Sequence, residues 1–346
     1  MAAPALASAK LRYTPEELLA SHPDLAPQVE AGRRLHGGFD PEGRYVPPRL
    51  LHRAPAVEAW IAALRRRGGE LLPADASLLA GVRYPSEAQA RLLLREGLGQ
   101  SFWNTLTITG KIEARGRVLA DIPFPEFSEL VVEDVAETAL GHLNRGLLRA
   151  HGLDEGGEPE RGIGGHDVMW FALRDLAFGE TGWPDVQPPE IIRAESERRV
   201  DPEIPERAAR TIDFLLNLLM IEFRAERGFS FTEAMLRDPE LFVGRRAEAE
   251  RAAEIVGRIR TDEAIHVTSL RLLLGEIRSL TFRTRSGGRK PGSSVVDPLW
   301  SDIVRWATVE QPPLAAAQAR PTFHARIAEH PEGARIRAAF DALEEA

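Results

Sequence analysis

The chain has 346 residues, room for about two domains or one large domain with extensions. It is 43% hydrophobic and 28% charged, ordinary for a globular protein. Lys and Arg total 44 against 52 Asp and Glu, a formal charge of −8, which argues against a dedicated nucleic-acid binder. There is no cysteine, so disulfides, thiolate-bound zinc, iron–sulfur clusters and a thiol nucleophile are excluded. That composition fits a reducing cytoplasm.

The N-terminal MAAPALASAKLRY has its cations after the small residues and no apolar core, so it reads as neither a signal peptide nor an anchor. The longest strongly apolar stretch, Phe214–Ile221, is far short of the roughly 18 residues that span a bilayer. Residues 1–84 read as a loop-rich extension with short helices at Thr14–Ser21 and Ala54–Arg67.

Proline then becomes sparse. The runs 86–122, 126–158, 206–238 and 240–290 contain none. Proline inside a helix costs about 3 kcal/mol, so these runs permit long helices, and their Leu, Ala, Arg and Glu content agrees. A first helix is expected from Ser86 through Leu106. A second spans about Glu126–Ala150, with Gly152 as its stop. A third begins near Pro205 and ends by Gly228, with Ile212, Leu215 and Leu219 on one stripe. A fourth spans about Arg245–Phe282, with Ile255, Ile259, Leu270, Leu273 and Ile277 on its stripe. The long connection between the second and third carries a further helical piece at His166–Phe178. Residues 85–283 therefore predict an all-α four-helix bundle with one long crossover. Residues 284–346 predict a polar linker over Arg283–Ser294 and short helices near Pro298–Thr308 and Gly333–Glu345.

Ionisable residues sit on the buried stripes, where they are costly unless paired or metal-bound. Glu263 and His266 in DEAIH share one helix face at i, i+3, with Asp262 at i−4 from the histidine. Glu222 lies in the apolar run LLNLLMIEF. Glu96 lies in RLLLREGLGQSFW. On the second helix Glu137 follows Leu130, and His142 stands five residues further on. Glu96 and Glu137 are 41 positions apart, as are Glu222 and Glu263, so two antiparallel hairpins would set both pairs at similar heights.

This arrangement resembles the ferritin-like di-iron carboxylate superfamily, in which two helices each carry a Glu and the other two each carry Glu-x-x-His. Residues 85–283 carry the resemblance. It implies a metal set of Glu96, Glu137, His142, Glu222, Glu263 and His266. The departure is ETALGH: on a regular helix Glu137 and His142 lie about 140° apart and converge only across a π-bulge. Glu133, Asp134 and the His166–Asp167 pair are alternative donors. The remaining histidines, His22, His36, His52, His151, His324 and His330, are expected to face solvent. Gly162-Ile-Gly-Gly165 lacks the strand-then-helix flanks of a dinucleotide motif, and Arg33–Arg34 and Arg65–Arg67 read as solvated faces.

Carboxylate-rich, imidazole-poor ligation suits two Fe ions, or Fe with Mn. The expected function is O2-dependent oxidation of a small organic substrate. The alternatives are a ferroxidase or metal-storage protein and a metal-free helical interaction protein. An electron-donor protein and a homodimer fit the first reading; nucleic acid and membrane partners do not.

Overall fold

The computed structural model describes residues 10–74, 83–188 and 201–343. Among the described residues the protein is mostly helical, 64% helix, with two small sheets. Among the described residues no helix is long and apolar enough to cross a membrane.

The N-terminal segment opens with α1 (Pro15–Leu18), capped by Thr14 and Glu17 in a reciprocal capping box. A three-stranded antiparallel ribbon follows, which the all-α expectation did not include: β1 (Ala26–Glu30), β2 (Arg33–Phe39) and β3 (Tyr45–Val46). Ala31 and Gly32 both have positive φ, as a two-residue hairpin turn of the right twist requires. Helix α2 (Arg53–Arg66) follows.

The first expected long helix is two helices. α3 (Glu87–Arg95) starts on a Ser86–Gln89 capping box. It stops at Gly97, whose φ of +76° is left-handed. Leu98 N–H donates to Leu93 O and Gly97 N–H to Leu94 O, the paired closing bonds of a Schellman motif. α4 (Gln100–Gly116) starts afresh in a new direction.

The second expected helix is also broken. α5 (Phe127–Leu130) gives way to extended Val131, which bridges to Phe282. A 3₁₀ turn over Leu140–His142 and a π-type turn over Leu143–Leu147, kinked at Gly146, lead into α6 (Leu148–Gly156). Gly152 is inside α6 rather than beyond it; a Cβ there would stand 2.4 Å from Ala120 N of the 3₁₀ turn Arg117–Ala120.

α7 (His166–Phe178) forms where the crossover helix was expected. The longest helices are α8 (Glu206–Arg237) and α9 (Arg246–Ser279), each about 50 Å at 1.5 Å per residue. The polar stretch after α9 is partly a hairpin of β4 (Thr281–Arg283) and β5 (Arg289–Pro291). α10 (Ser293–Arg305), α11 (Gln311–Ala328) and α12 (Gly333–Ala342) complete the fold. Residues 344 and 345 of the last expected helix lie outside the described residues.

α8 and α9 form an antiparallel hairpin; α7 packs on α9, and α4 and α6 pack on α7 and on each other. Two apolar cores run along it. One joins Ala208–Phe223 of α8 to Leu270–Ile277 of α9, with α2 and α10. The other joins Phe229–Leu236 of α8 to Ala252–Ile259 of α9, with α4 and α7. Between them, at Glu222 and Asp262–His266, lies a buried polar layer.

Glu276, further along α9, explains part of the break before α6. Its carboxylate accepts the N–H groups of Ala139 (3.2 Å) and Leu140 (2.8 Å), capping the 3₁₀ turn from outside the helix. Burial pushes its carboxyl up to about 7, outweighing those two donors. The unfolded group titrates at its ordinary 4.5, so between the two values the native state keeps a proton the unfolded chain has lost. Stability from this group therefore falls as pH rises from about 4.5 to about 7, by about 3 kcal/mol. Urea unfolding of metal-free protein at pH 5 and pH 8 should show this fall in the wild type beyond that in Glu276→Gln. Equal pH dependence in the two proteins would refute it.

Candidate metal centre

The polar layer is assembled from five helices. On α6, His151, Asp154 and Glu155 share a face at i, i+3 and i+4. On α9, Asp262, Glu263 and His266, at i, i+1 and i+4, are all turned into the same layer. Glu222 comes from α8 and Glu113 from α4, and His166 is the first residue of α7. Excepting Glu113, none of these is more than 6% exposed.

The α6–α7 connection determines how Glu155 and His166 meet. Glu158 and Ile163 exchange backbone bonds across a tight turn. Gly157 and Gly165 then face each other so closely that a Cβ on Gly165 would stand 2.4 Å from Gly157 N and 2.6 Å from the carbonyls of Asp154 and Glu155. Without side chains there, the start of α7 lies directly against the end of α6. The glycine-rich stretch around Gly162–Gly165 is thus a packing device of this turn.

Glu155 is the hub. Its Oε1 lies 3.1 Å from His266 Nδ1 and 3.5 Å from both His166 Nδ1 and His151 Nε2. Glu263 lies 3.0 Å from His166 Nδ1 through Oε1 and 3.0 Å from His266 Nδ1 through Oε2. His151 Nε2 is 2.8 Å from Glu222 Oε1, and its ring stacks on His266 at 3.8 Å between centroids. Glu113 stands beside Glu155.

The far sides of two histidines are tied down. His166 Nε2 pairs with Asp262 Oδ2 at 3.2 Å, and His266 Nε2 with Asp154 Oδ2 at 3.0 Å. Asp154 is itself clamped by Arg49 and Arg53, each at 2.6 Å. With a proton on Nε2 facing its aspartate, each ring turns Nδ1 towards the hub. Three inward atoms, Glu155 Oε1, His166 Nδ1 and Glu263 Oε1, are buried and make no hydrogen bond of acceptable geometry.

The electrostatics tell the same story. Burial pushes Glu222 up to about 8, and the neighbouring Glu263 adds to it. Glu113 is pushed well above the carboxylate range by burial and by Glu155. Burial and Glu155 push Glu263 up as well, but His266 and His166 outweigh them and hold it at about 2. His166 and His266 are raised well above the usual imidazole value, because the surrounding carboxylates overcome the effect of burial. Without a cation the cluster keeps protons to balance its carboxylates.

Such a donor set fits metal ions. Bonds of about 2.0–2.2 Å put neighbouring ligand atoms about 3.0 Å apart on an octahedron and about 3.4 Å on a tetrahedron. The separations here, 3.0–3.5 Å, fall in that range. Two buried groups of four have ligand atoms within 4.8 Å of one another, close enough to share an ion: Glu155, His166, Glu263 and His266; and His151, Glu155, Glu222 and His266.

The structure brings Glu222, Glu263 and His266 together and places the other three expected ligands elsewhere. Glu96 caps α3 and pairs with Arg335 at 3.0 Å. Glu137 precedes the 3₁₀ turn, with a side chain 57% exposed and 3.4 Å from Arg12. His142 is buried, but against Trp60 and Tyr13; its Nε2 accepts Tyr13 N–H and its Nδ1 donates to Thr138 O, so neither nitrogen is free. A π-type turn does occur here, just after His142, yet it does not swing Glu137 inward. Glu133 accepts Thr281 N–H, Asp134 accepts Ala136 N–H and Asp167 accepts Val168 N–H, and none of the three joins a ligand group. His166 is the crossover donor that does enter it.

The sequence reading missed Glu113, His151 and Glu155. Phe102, Leu106, Gly110 and Glu113 continue one helical stripe, which is the available signal for Glu113. His151 and Glu155 are spaced i, i+4, but Gly152 taken as a stop hid that relation. His36 and His151, expected in solvent, are each 3% exposed.

No protein-family model, curated protein or solved structure matches this chain.

Proposed function

We propose that this chain is a non-haem dimetal oxidoreductase that uses O2 to oxidise a small organic molecule, on a ferritin-like arrangement of helices. One observation carries the reading: His166 Nδ1, Glu155 Oε1 and Glu263 Oε1 converge unbonded, while Asp262 holds the opposite edge of the His166 ring. A histidine oriented through its second nitrogen by a carboxylate is the usual preparation of a metal ligand. One ion would take Glu155, Glu263, His166 and His266. The other would take His151 and Glu222, share Glu155, and have Glu113 beside it.

Four glutamates balance two dications, and a set with more oxygen than nitrogen favours Fe or Mn over copper. When bound, such a pair supplies electrons to O2. The residues' part is to hold the ions at fixed separation and to keep water out through the apolar cores above and below the layer. The ferritin-like aspect rests on two helix pairs: α4 with α6 carries Glu113 and Glu155, and α8 with α9 carries Glu222, Glu263 and His266. Helix α7 adds a histidine to that scheme.

The test is anaerobic Fe(II) loading followed by a metal count, an ultraviolet–visible spectrum and measurement of O2 uptake. Two ions per chain with O2 consumed in proportion is the expected result. Many irons per chain would favour storage. No bound metal would leave an interaction protein.

A further inference from the structure

We infer that the N-terminal β-ribbon is a working part of the metal centre, with Tyr45 and His36 acting as positioning residues for His166. The inference rests on the dimetal reading above.

The ribbon reaches His166 by two independent routes. The first is through Asp262. Its Oδ2 accepts from Tyr45 Oη at 2.8 Å, pairs with His36 Nε2 at 3.1 Å and pairs with His166 Nε2 at 3.2 Å. Two of the three groups that fix this carboxylate therefore come from β2 and β3. The second route is backbone. His36 N–H donates to Gly164 O at 2.8 Å, and Gly164 N–H donates to Arg34 O at 2.9 Å. Those bonds attach β2 to the residues just before His166.

The approach of Tyr45 is built for this. Gly37 has φ +68°, and a Cβ there would stand 2.5 Å from the Tyr45 hydroxyl. The missing side chain lets the phenol cross β2 to Asp262. The Tyr45 ring packs on Phe39 with centroids 6.1 Å apart, so loss of the hydroxyl alone leaves its apolar contact in place. His266 is the internal control. Its outward nitrogen is held by Asp154, whose hydrogen-bond partners among the described residues are His266, Arg49 and Arg53 and none from the ribbon.

The ribbon should therefore affect one histidine of the centre and not the other. A simple covering role would affect both equally or neither. The experiment uses the full-length chain loaded anaerobically with Co(II), comparing wild type, Tyr45→Phe and Tyr45→Phe/His36→Gln. Proton NMR in water reads the exchangeable, metal-shifted N–H signals of the bound imidazoles. The rate of Co(II) transfer to a chelator reads retention, and apo melting temperature reports folding.

The expected result is that one N–H signal, assigned to His166 by its loss in His166→Ala, broadens through faster solvent exchange in both variants. The His266 signal stays sharp, and Co(II) leaves about tenfold faster from one of the two positions, the lower end of the effect of removing an outer-shell partner. Unchanged signals and unchanged release in both variants would overturn the positioning role. Equal loss of both histidine signals would overturn it too, showing only general loosening. Failure of the wild type to bind Co(II) would instead overturn the dimetal reading, and this inference with it.

Discussion

Replacing Glu155 by alanine should empty both metal positions. Its Oε1 is the one carboxylate oxygen within 3.5 Å of all three inward imidazole nitrogens, and Glu155 is common to both ligand groups. Removing an outer-shell partner costs 10–100-fold in metal affinity, so loss of a shared ligand should exceed about 100-fold at each position. Metal content after anaerobic loading and desalting should drop from two per chain to near zero. Helicity should persist, because α6 is held by the packing of Leu148, Ala150 and Leu153 rather than by this carboxylate. The same measurement on Glu96→Ala, Glu137→Ala and His142→Ala should return two ions per chain, since each of these residues is engaged elsewhere. A Glu155→Ala protein that keeps both ions would refute the centre as described. Metal loss in the His142 variant with unchanged folding would restore the ligand set expected from sequence.

The second large effect is on stability, at Asp154. This carboxylate is fully buried; burial pushes its pKa up, but Arg53, His266 and Arg49 together hold it well below the usual range. Alanine at 154 would leave two buried guanidinium groups without their partner. Breaking a buried ion pair from one side costs about 3–5 kcal/mol, because the remaining charge keeps its desolvation penalty. The cost should fall mainly on Arg53. Arg49 retains Glu158 at 2.9 Å, whereas among the described residues Arg53 retains only the Pro48 carbonyl at 3.4 Å. Urea unfolding of metal-free protein should show the full loss in Asp154→Ala and a smaller one when Arg53→Met is added, since the orphaned charge is then gone. A loss under about 1 kcal/mol in the single variant would show that water or another acceptor reaches the arginines. Metal binding should weaken as well, because His266 loses the group that points its Nδ1 inward.

Glu263 and His266 were readable in the sequence because both lie on one uninterrupted helix, where spacing alone sets which residues share a face. Glu222 was readable because it continues an apolar stripe on a second unbroken helix. α2, α7 and α9 were expected close to where they form, and α8 close to where it starts, because periodicity is a local property; α8 runs on to Arg237, past the stop expected by Gly228. The 41-residue spacing of Glu96 and Glu137 was misleading, because it assumed two unbroken helices that do not form, whereas the equal spacing of Glu222 and Glu263 falls on α8 and α9, which do. A Schellman stop at Gly97 ends α3 at Glu96, and the chain between Val131 and Gly146 does not hold a single axis.

What the sequence by itself determined is therefore the mostly helical fold, the α8–α9 hairpin and the half of the polar layer that the hairpin carries. The tertiary structure alone decided the rest of the centre. Glu155 and His166 meet because Gly157 and Gly165 let two backbones touch. His142 is turned away because Tyr13 and Trp60 take its ring. His36 and Tyr45 reach the centre from a ribbon more than 200 residues distant along the chain from Asp262. Such contacts depend on close approach between elements far apart in sequence, and no periodic pattern within either element records them.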